Sequence, residues 1–337
     1  MSWPRERAQP RPGAERSGGE SSPAAGSGSR SLSADHSGLA SAPSPLARAE
    51  RFGRYRLCFE LASGGMATVY LAHAGGPGRF QKHVALKRIH AHLASRRDFV
   101  EMFHDEAAIA ARISHPNVAA VFDFGEEKGV HYLAMEYLLG ESLGRLLRAC
   151  RKQPSIDRKA HARIVARIVA DVCEGLHAAH ELQDEQGRLL EVVHRDVSPD
   201  NVFVTYDGVV KLVDFGVASA RNRITHTTTG VLKGKHAYMA PELLGDGGFD
   251  RRADLFSVGV VLWEALTLRR LFRRESQAKT LFAVVGDPIE APSQVVPELD
   301  AALDAIVMRA RARAGGALRD RARAGARPPR LPARPAR

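Results

Sequence analysis

The chain has 337 residues, 44% of them hydrophobic, and a formal net charge of +11. That apolar content is enough for one large or two modest cores. Residues 311–337 hold nine Arg against one Asp and no aromatic residue, so much of the charge lies in a tail without the rings that stack on bases, and no nucleic-acid partner is expected.

Cysteine spacing and hydropathy exclude further classes. Cys58, Cys150 and Cys173 show no CxxC and no metal-ligand spacing, which favours reduced thiols in a cytosolic protein. The longest apolar run, around residues 258–266, is interrupted and too short to span a bilayer. The N-terminus lacks the apolar stretch of a signal peptide, so we expect a soluble, cytoplasmic chain without a membrane segment.

In chain order, residues 1–51 come first. They are rich in Ser, Gly, Ala, Pro and Arg and show almost no aliphatic periodicity. Such a segment cannot bury enough surface to offset the entropy of ordering, so it is predicted to be a disordered leader.

The region that follows carries strand and then helix signals. Runs of β-branched and aromatic residues between turns predict five strands, at residues 55–59, 68–72, 84–87, 118–124 and 130–137. Helical spacing predicts four helices, at residues 99–113, 143–150, 159–183 and 255–267. The change predicts an α+β fold of two lobes: a small β-rich N-lobe at residues 52–139 and a larger helical C-lobe at residues 140–310.

A glycine-containing turn, FELASGGMATV at residues 59–69, lies between the first two predicted strands. Small residues there let backbone N–H groups approach phosphates closely, although a plain β-turn is the alternative. Lys87 follows on the third strand, upstream of a helix that carries acids. Glu106, in the middle of that helix, is the favoured partner of Lys87, and Glu101 and Asp105 are competitors.

The segment HRDVSPDN at residues 194–201, followed by DFG at residues 214–216, is the strongest functional signal. It places Asp196 and Asn201 on one short loop and Asp214 eighteen residues after Asp196. Phosphoryl transfer from ATP needs one carboxylate to accept a hydroxyl proton, and an amide plus a second carboxylate to hold magnesium.

Together these motifs resemble the eukaryotic-type protein kinases. VALK at residues 84–87, the acidic helix, HRDVSPDN, DFG and APE at residues 240–242 occur in the family's order. The phrases GGMATVYLA, HRDVSPDN and YMAPE resemble its bacterial Hanks-type Ser/Thr branch. The resemblance, over about residues 55–310, implies a bilobal fold with ATP and Mg²⁺ in the cleft. It also implies signal transduction through phosphorylation of Ser or Thr on protein substrates, since the loop lacks the AAR segment of tyrosine kinases.

The resemblance implies roles for individual residues. Asp196 would orient the substrate hydroxyl as the base, Asn201 and Asp214 would bind Mg²⁺, and Lys87 would pair with Glu106. Met135 would guard the back of the adenine pocket. The nucleotide would contact residues from the turn, the strands and the hinge, namely Ala62, Gly64, Gly65, Val69, Ala85, Lys87, Met135, Glu136 and Leu138.

Two more positions follow from the same resemblance. Asp254 would brace the catalytic loop from below. Arg195 would pair with a phosphate on the activation segment and order it. The candidate autophosphorylation sites are threonines between DFG and APE, namely Thr225, Thr227, Thr228 and Thr229, and the alternative is a polar mobile loop.

Ser198 departs from the family pattern. The loop of Ser/Thr kinases usually reads HRDLKPEN, and its lysine, which neutralises the transferring phosphoryl group, is Ser198 here. Where the family usually has Thr after a glycine near APE, this chain has Lys235. We expect Lys235 to reach the γ-phosphate and Ser198 to supply the hydroxyl. The alternative is that Lys235 points to solvent or contacts an acidic substrate.

The C-terminal part also departs from the family. Residues 297–310 have the spacing of an amphipathic helix, with Leu299, Leu303, Ile306 and Val307 on its inward face. The Arg/Ala/Pro-rich residues 311–337 show no further helix signal where a kinase C-lobe normally continues. We therefore expect an incomplete C-lobe and a disordered tail that resembles a frameshifted reading of GC-rich DNA, with a genuine basic tail as the alternative.

A pseudokinase scaffold is the alternative to an active enzyme. Ala62 and Ala67, which replace glycines of the family, favour it together with Ser198 and the short C-lobe. The retention of Lys87, Asp196, Asn201 and Asp214 argues against it, because a scaffold has no need of all four.

Overall fold

The computed structural model describes residues 50–75, 81–153, 155–215, 235–244 and 249–310, and the backbone of residues 44–45. The candidate phosphorylation threonines, the tail at residues 311–337 and nearly all of the leader lie outside these ranges. The incomplete C-lobe and the frameshift therefore stay predictions.

The first part of the chain forms an antiparallel sheet of seven strands in the order β1-β3-β4-β5-β7-β6, with β2 paired to β3. The strands are β1 (Ser44–Pro45), β2 (Arg51–Phe52), β3 (Tyr55–Ser63), β4 (Ala67–Gly75), β5 (Gln81–Ile89), β6 (Val121–Glu127) and β7 (Val130–Glu136). β1, and Arg51 of β2, lie in the segment predicted as a leader, and their pairing satisfies backbone groups at the edge of β3. The domain bounds themselves stay predictions.

Two helices, α1 (Ala91–Ala94) and α2 (Arg97–Ala110), follow β5 and cover one face of this sheet. Phe99, Phe103 and Ala107 of α2 are buried against Ala85 and Met135 of the sheet. Because side chains alternate along a strand, Lys87 lies on the same face of β5 as Ala85. The sheet therefore presents Lys87 toward α2.

The second part is helical. Its helices are α3 (Leu143–Arg151), α4 (Arg158–His180), α5 (Arg252–Thr267), α6 (Gln277–Gly286), α7 (Pro292–Val295) and α8 (residues 301–310). Helix α5 is almost entirely buried, as expected for a helix that is apolar all round. It forms the centre of a core shared with α4, and this arrangement confirms the α+β prediction of a β-rich lobe and a helical lobe.

A small sheet of three strands, in the order β10-β9-β8, lies at the start of the helical lobe. It consists of β8 (Gly140–Ser142), β9 (Val202–Thr205) and β10 (Val210–Leu212). Val118, predicted to begin a strand, instead makes an isolated bridge to Leu212, and β6 begins three residues later. This contact joins the segment between α2 and β6 to the small sheet.

The amphipathic helix predicted at residues 297–310 is shorter than expected, because α8 begins at residue 301. Leu299 and Val307 are buried, and Leu303 packs partly against the core. The inward assignment of Ile306 was wrong, since its side chain is 56% exposed. Adjacent helical residues differ by about 100° in direction, so a helix that buries Val307 turns Ile306 toward solvent. No described helix has the length and apolar character needed to cross a membrane.

Candidate active site

Lys87 is the centre of a charge cluster between the two lobes. Its Nζ donates to Oε1 of Glu106 on α2 at 3.1 Å and to Oδ1 of Asp214 at 2.9 Å. The structure therefore joins Lys87 to Glu106 rather than to the competing acids Glu101 and Asp105. Asp214 follows β10, so this cluster ties the N-lobe sheet, helix α2 and the C-lobe together.

The cluster shifts the pKa of each member. Burial alone would lower the pKa of Lys87, but the carboxylates of Asp214 and Glu106 raise it above its ordinary value. Burial raises the pKa of Glu106 despite the attraction of Lys87. Burial acts in the same direction on Asp214, but Lys87 outweighs it and holds the pKa of Asp214 below its usual range. Lys87 and Asp214 are thus a charged pair at neutral pH.

Asn201 lies directly beside Asp196. Its Nδ2 donates to the backbone oxygen of Asp196 at 2.8 Å and to Oδ2 of the same residue at 3.0 Å. Because the amide nitrogen is directed to Asp196, the amide oxygen is the group of Asn201 that can serve a cation. Amide and carboxylate oxygens such as those of Asn201 and Asp214 suit a hard divalent ion that also binds phosphate.

Asp254, the first-turn carboxylate of α5, holds the catalytic loop from below. It is completely buried, and it accepts hydrogen bonds from the backbone N–H of His194 and of Arg195, both at 2.8 Å, and from Nε2 of His180 at 2.7 Å. Arg195 has a φ of 65°, a left-handed conformation that is costly for a residue with a side chain. The bond to Asp254 stabilises that conformation next to Asp196.

Lys235 reaches the carboxylate of Asp196, 39 residues earlier in the chain. Its Nζ lies 2.5 Å from Oδ2 of Asp196. Ser198 is 1% exposed, and its Oγ makes no hydrogen bond to any residue that the structure describes. The short 3₁₀ helix Lys235–Tyr238 thus places an ammonium group beside Asp196. Ser198 and Lys235 are not hydrogen-bonded to each other through Oγ and Nζ.

The nucleotide-covering turn connects β3 and β4. Its closing hydrogen bond runs from the backbone N–H of Gly64 to the oxygen of Ala67 at 3.0 Å. Ala62 and Gly64 are exposed and Gly65 is half-buried. Next to the turn, Val69 of β4 pairs with Lys87 of β5. The remaining predicted lining residue of β5, Ala85, lies two positions before Lys87 on the same face.

The hinge after β7 is fixed by Glu136. Its Oε2 accepts from Nζ of Lys211 on β10 at 2.8 Å and from the backbone N–H of Ala120 at 3.1 Å. Met135 is 8% exposed and lines a small cavity of about 20 Å³, which is room for about one water. Little space is therefore left beside Met135, and Leu138 is half-buried in the connection to β8.

A buried network behind the site was not found from the sequence. Glu264 of α5 is completely buried and accepts from Tyr238 Oη at 2.9 Å, from Arg270 at 2.8 Å and from the backbone N–H of Leu271 at 3.0 Å. It anchors the 3₁₀ helix that carries Lys235. A glutamate inside the apolar run LWEAL is a signal for such a network, because a buried carboxylate needs partners.

Comparisons with known proteins agree with this geometry. The model of the protein kinase domain matches residues 55–305. The tyrosine-protein kinase MasK of Myxococcus xanthus is 44% identical over 262 residues, which are 77% of this chain and 40% of that protein. The serine/threonine-protein kinase Pkn1 of the same organism is 36% identical, over 78% of this chain and 36% of that protein. The chain thus spans less than half of the length of these relatives.

A solved structure supports the fold. The kinase domain of PknI from Mycobacterium tuberculosis has a TM-score of 0.57 and 29% identity, and the match covers 80% of this chain and 91% of that one. The two lobes described above are thus the bilobal kinase fold. The family uses ATP with a divalent cation and acts on proteins. With its match over residues 55–305, the chain belongs to the protein kinase domain family, in the bacterial Hanks-type branch.

Proposed function

We propose that this domain transfers the γ-phosphoryl group of ATP to hydroxyl groups of proteins, with Mg²⁺ as the cation. The observation that carries the proposal is the convergence of Lys87, Asp196, Asn201 and Asp214 on one cleft, with Lys87 in contact with both Glu106 and Asp214. A cation held by Asn201 and Asp214 would neutralise phosphate oxygens. The cytoplasmic location inferred from the sequence remains part of this proposal.

In this proposal each residue has a separate task. Lys87, held by Glu106, binds the phosphates, and the turn at Gly64 and Gly65 covers them with backbone N–H groups. Asp196 aligns the acceptor hydroxyl and takes its proton. Since the reacting groups are positioned rather than covalently activated, most of the rate enhancement comes from placement and charge stabilisation.

The nucleotide base would lie between the lobes. Val69 and Ala85 offer apolar contact from the sheet, and Met135 limits the depth of the pocket. The backbone of the connection from Glu136 to Leu138 would bind adenine, while the Glu136 side chain is already engaged by Lys211. Ala62, exposed at the start of the turn, would contact the nucleotide from above.

Lys235 would take the role of the missing loop lysine. Its ammonium group already lies against Asp196, where the acceptor oxygen and the moving phosphoryl group must meet. The sequence hypothesis assigned a hydroxyl role to Ser198. The orphaned Oγ of Ser198 gives it a hydrogen-bonding group without a described partner, which is compatible with that role.

We further propose that the acceptor is Ser or Thr. The absence of the AAR segment from HRDVSPDN supports this choice, and Pkn1 is a serine/threonine kinase by its name. Tyrosine is a second candidate, because the relative of 44% identity is described as a tyrosine-protein kinase. The domain would also phosphorylate itself, at Thr225, Thr227, Thr228 or Thr229.

The test is incubation of the full chain with labelled ATP, Mg²⁺ and a generic protein substrate, beside an Asp196→Asn control. Incorporation by the wild type alone is the expected result, and acid hydrolysis followed by phosphoamino-acid separation distinguishes Ser and Thr from Tyr. Peptide mass mapping locates any phosphate on the four threonines. Nucleotide-dependent thermal stabilisation without incorporation would instead identify a scaffold and defeat the proposal.

A further inference from the structure

A second cavity lies in the helical lobe, away from the nucleotide cleft. Its volume is about 240 Å³, and it forms where the end of α3, the start of α4 and the residues after α5 meet. Its walls include Arg151, Arg158 and Arg269, together with Gln153 and Thr267. Every lining residue belongs to the described ranges, and none of them is Asp or Glu.

The arginine at the end of α3 is held in a fixed position. Nε of Arg151 donates to the backbone oxygen of Leu268 at 2.7 Å. Leu268 ends α5 in the left-handed conformation, with a φ of 58°. A helix C-terminus attracts a cation, which explains this contact. Nη2 of Arg151, however, is buried and donates to no residue in the described part of the chain.

Arg158 repeats this feature from the other wall. Its Nη1 is also buried and without an acceptor among the described residues. A buried N–H group that has left water without gaining an acceptor destabilises the fold, so two of them at one cavity call for an explanation. Both N–H groups are covered in this structure, so an acceptor in the cavity would pair with them once the two guanidinium groups turn toward it.

The local charges are also unfavourable without a ligand. Arg158 is the first residue of α4, where the helix dipole disfavours a cation. The neighbouring carboxylate of Asp157 is occupied in capping the backbone N–H groups of Lys159 and Ala160. Burial lowers the pKa of Arg151, and the positive charge of the nearby Arg270 lowers it further, although the carboxylate of Glu264 acts in the opposite direction.

We propose that this cavity binds a phosphoryl group. The planar fork of arginine matches the geometry of phosphate oxygens, and the N-terminal end of α4 adds a favourable dipole for an anion. The volume of about 240 Å³ is below the range of about 300–1,000 Å³ that is typical for larger ligands. A phosphoryl group therefore fits better than a whole nucleotide.

Two sources can supply this group: free inorganic phosphate, or a phosphorylated side chain of a protein. The position of α3 makes the second source geometrically possible. The backbone N–H of Gly144, at the start of α3, donates to the oxygen of Pro199 in the catalytic loop at 2.8 Å. From there α3 extends about 13 Å to the cavity, a distance that about four residues of an extended peptide can span.

The binding test uses the full chain with Mg²⁺ and a saturating non-hydrolysable ATP analogue, so that the nucleotide cleft is occupied. Inorganic phosphate is titrated by calorimetry at constant ionic strength. Arg158→Gln should weaken phosphate binding about tenfold or more, because a charge-assisted hydrogen bond is lost. Arg163→Gln, at an exposed position on the same helix, is the matched control and should bind like the wild type.

The variants also separate binding from a structural role. Without phosphate, Arg158→Gln should melt no lower than the wild type, because it removes a cation from a helix N-terminus. Arg269→Gln, which changes an exposed wall residue, should weaken phosphate binding in the same direction. Absence of phosphate binding in the wild type, or equal affinity in Arg158→Gln and wild type, would overturn the proposal.

The source is identified with a short peptide carrying one phosphoserine, its unphosphorylated form and inorganic phosphate. Tighter binding of the phosphopeptide than of phosphate, lost in Arg158→Gln, assigns the cavity to a phosphorylated side chain. Equal affinity assigns it to the free ion. Equal binding of both peptide forms, or phosphopeptide binding that Arg158→Gln leaves unchanged, rejects the site.

Discussion

Replacing Lys235 by Ala tests the origin of the positive charge at the transfer site. In the wild type the Lys235 ammonium lies 2.5 Å from Oδ2 of Asp196, and the usual loop lysine is replaced by Ser198. If Lys235 stabilises the moving phosphoryl group, its removal should lower kcat and leave the KM for ATP nearly unchanged. The reason is that the contact becomes stronger only as charge develops in the transition state.

The expected loss can be worked from the geometry. Two unit charges about 4 Å apart interact by about 4 kcal/mol at an effective dielectric constant of about 20, which corresponds to a factor of about 10³ in rate. The Lys235 side chain is 39% exposed, so solvent screens part of this energy. If about half remains, the factor is about 30. We therefore expect kcat to fall by about 30-fold to 10³-fold.

The assay is steady-state phosphorylation of a protein substrate by the wild type, Lys235→Ala, Lys235→Arg and Lys279→Ala. Lys235→Arg keeps the charge and should retain most of the rate, and Lys279 is an exposed lysine on α6 that controls for loss of a surface charge. A double variant, Ser198→Lys with Lys235→Thr, restores the family's usual arrangement and should recover activity. A change in kcat below about threefold in Lys235→Ala would refute the reasoning.

Three further predictions concern stability. Asp254→Ala should lower the free energy of unfolding by about 3 kcal/mol or more in urea titrations, because two buried N–H groups and a histidine lose their acceptor. Gly140→Ala should cost about 1–3 kcal/mol or more in the same titrations, since a Cβ there would lie 2.3 Å from the Val204 oxygen, whereas Gly286→Ala, with nothing within 4 Å, should change little. Because the folded-state pKa of Asp214 is depressed, its contribution is present above about pH 4 and is lost as pH falls through the folded pKa. The stability difference between wild type and Asp214→Asn should therefore be constant from about pH 5 to 7 and shrink below about pH 4.

The long elements were accessible from the sequence because each has an internal pattern. The buried helix predicted at residues 255–267 is α5, Arg252–Thr267, and the strand predicted at residues 84–87 lies inside β5, Gln81–Ile89. Boundaries were less accurate, since helix ends depend on caps and neighbours rather than on periodicity.

The small sheet of β8, β9 and β10 was missed for a physical reason. Strands of three or four residues have too few positions to show alternation, and they exist only because a distant partner supplies their hydrogen bonds. The same holds for the contact between Glu136 and Lys211, which joins residues 75 positions apart. Neither side chain carries a local signal of this pairing.

The candidate site likewise has residues that a local motif predicts and contacts that only the fold creates. Residue types and order were sufficient to select Lys87, Glu106, Asp196, Asn201 and Asp214, because the motifs fix them along the chain. Their functional roles remain proposals, but the structure places them around one cleft.

The relation between Ser198 and Lys235 required three dimensions. The sequence could indicate that a lysine was missing at one position and present at another. It could not show whether the Lys235 ammonium reaches the loop or solvent. The 3₁₀ helix from Lys235, anchored through Tyr238 to the buried Glu264, decides this by directing Nζ to Asp196.

The structure also weakens the case for a scaffold that rests on Ala62, Ala67 and Ser198. Alanine in place of a family glycine would matter if the turn required a residue without a side chain. A Cβ built on Gly64 itself would meet only the Ala67 oxygen, at 3.8 Å, which is an ordinary contact, so this hairpin accepts small side chains. Ser198 carries no positive charge, but the ammonium group of Lys235 lies beside Asp196. A nucleotide-binding scaffold would need neither an open hairpin nor an ammonium group beside Asp196. The occurrence of both, together with the Lys87–Glu106 and Lys87–Asp214 pairs, favours phosphoryl transfer.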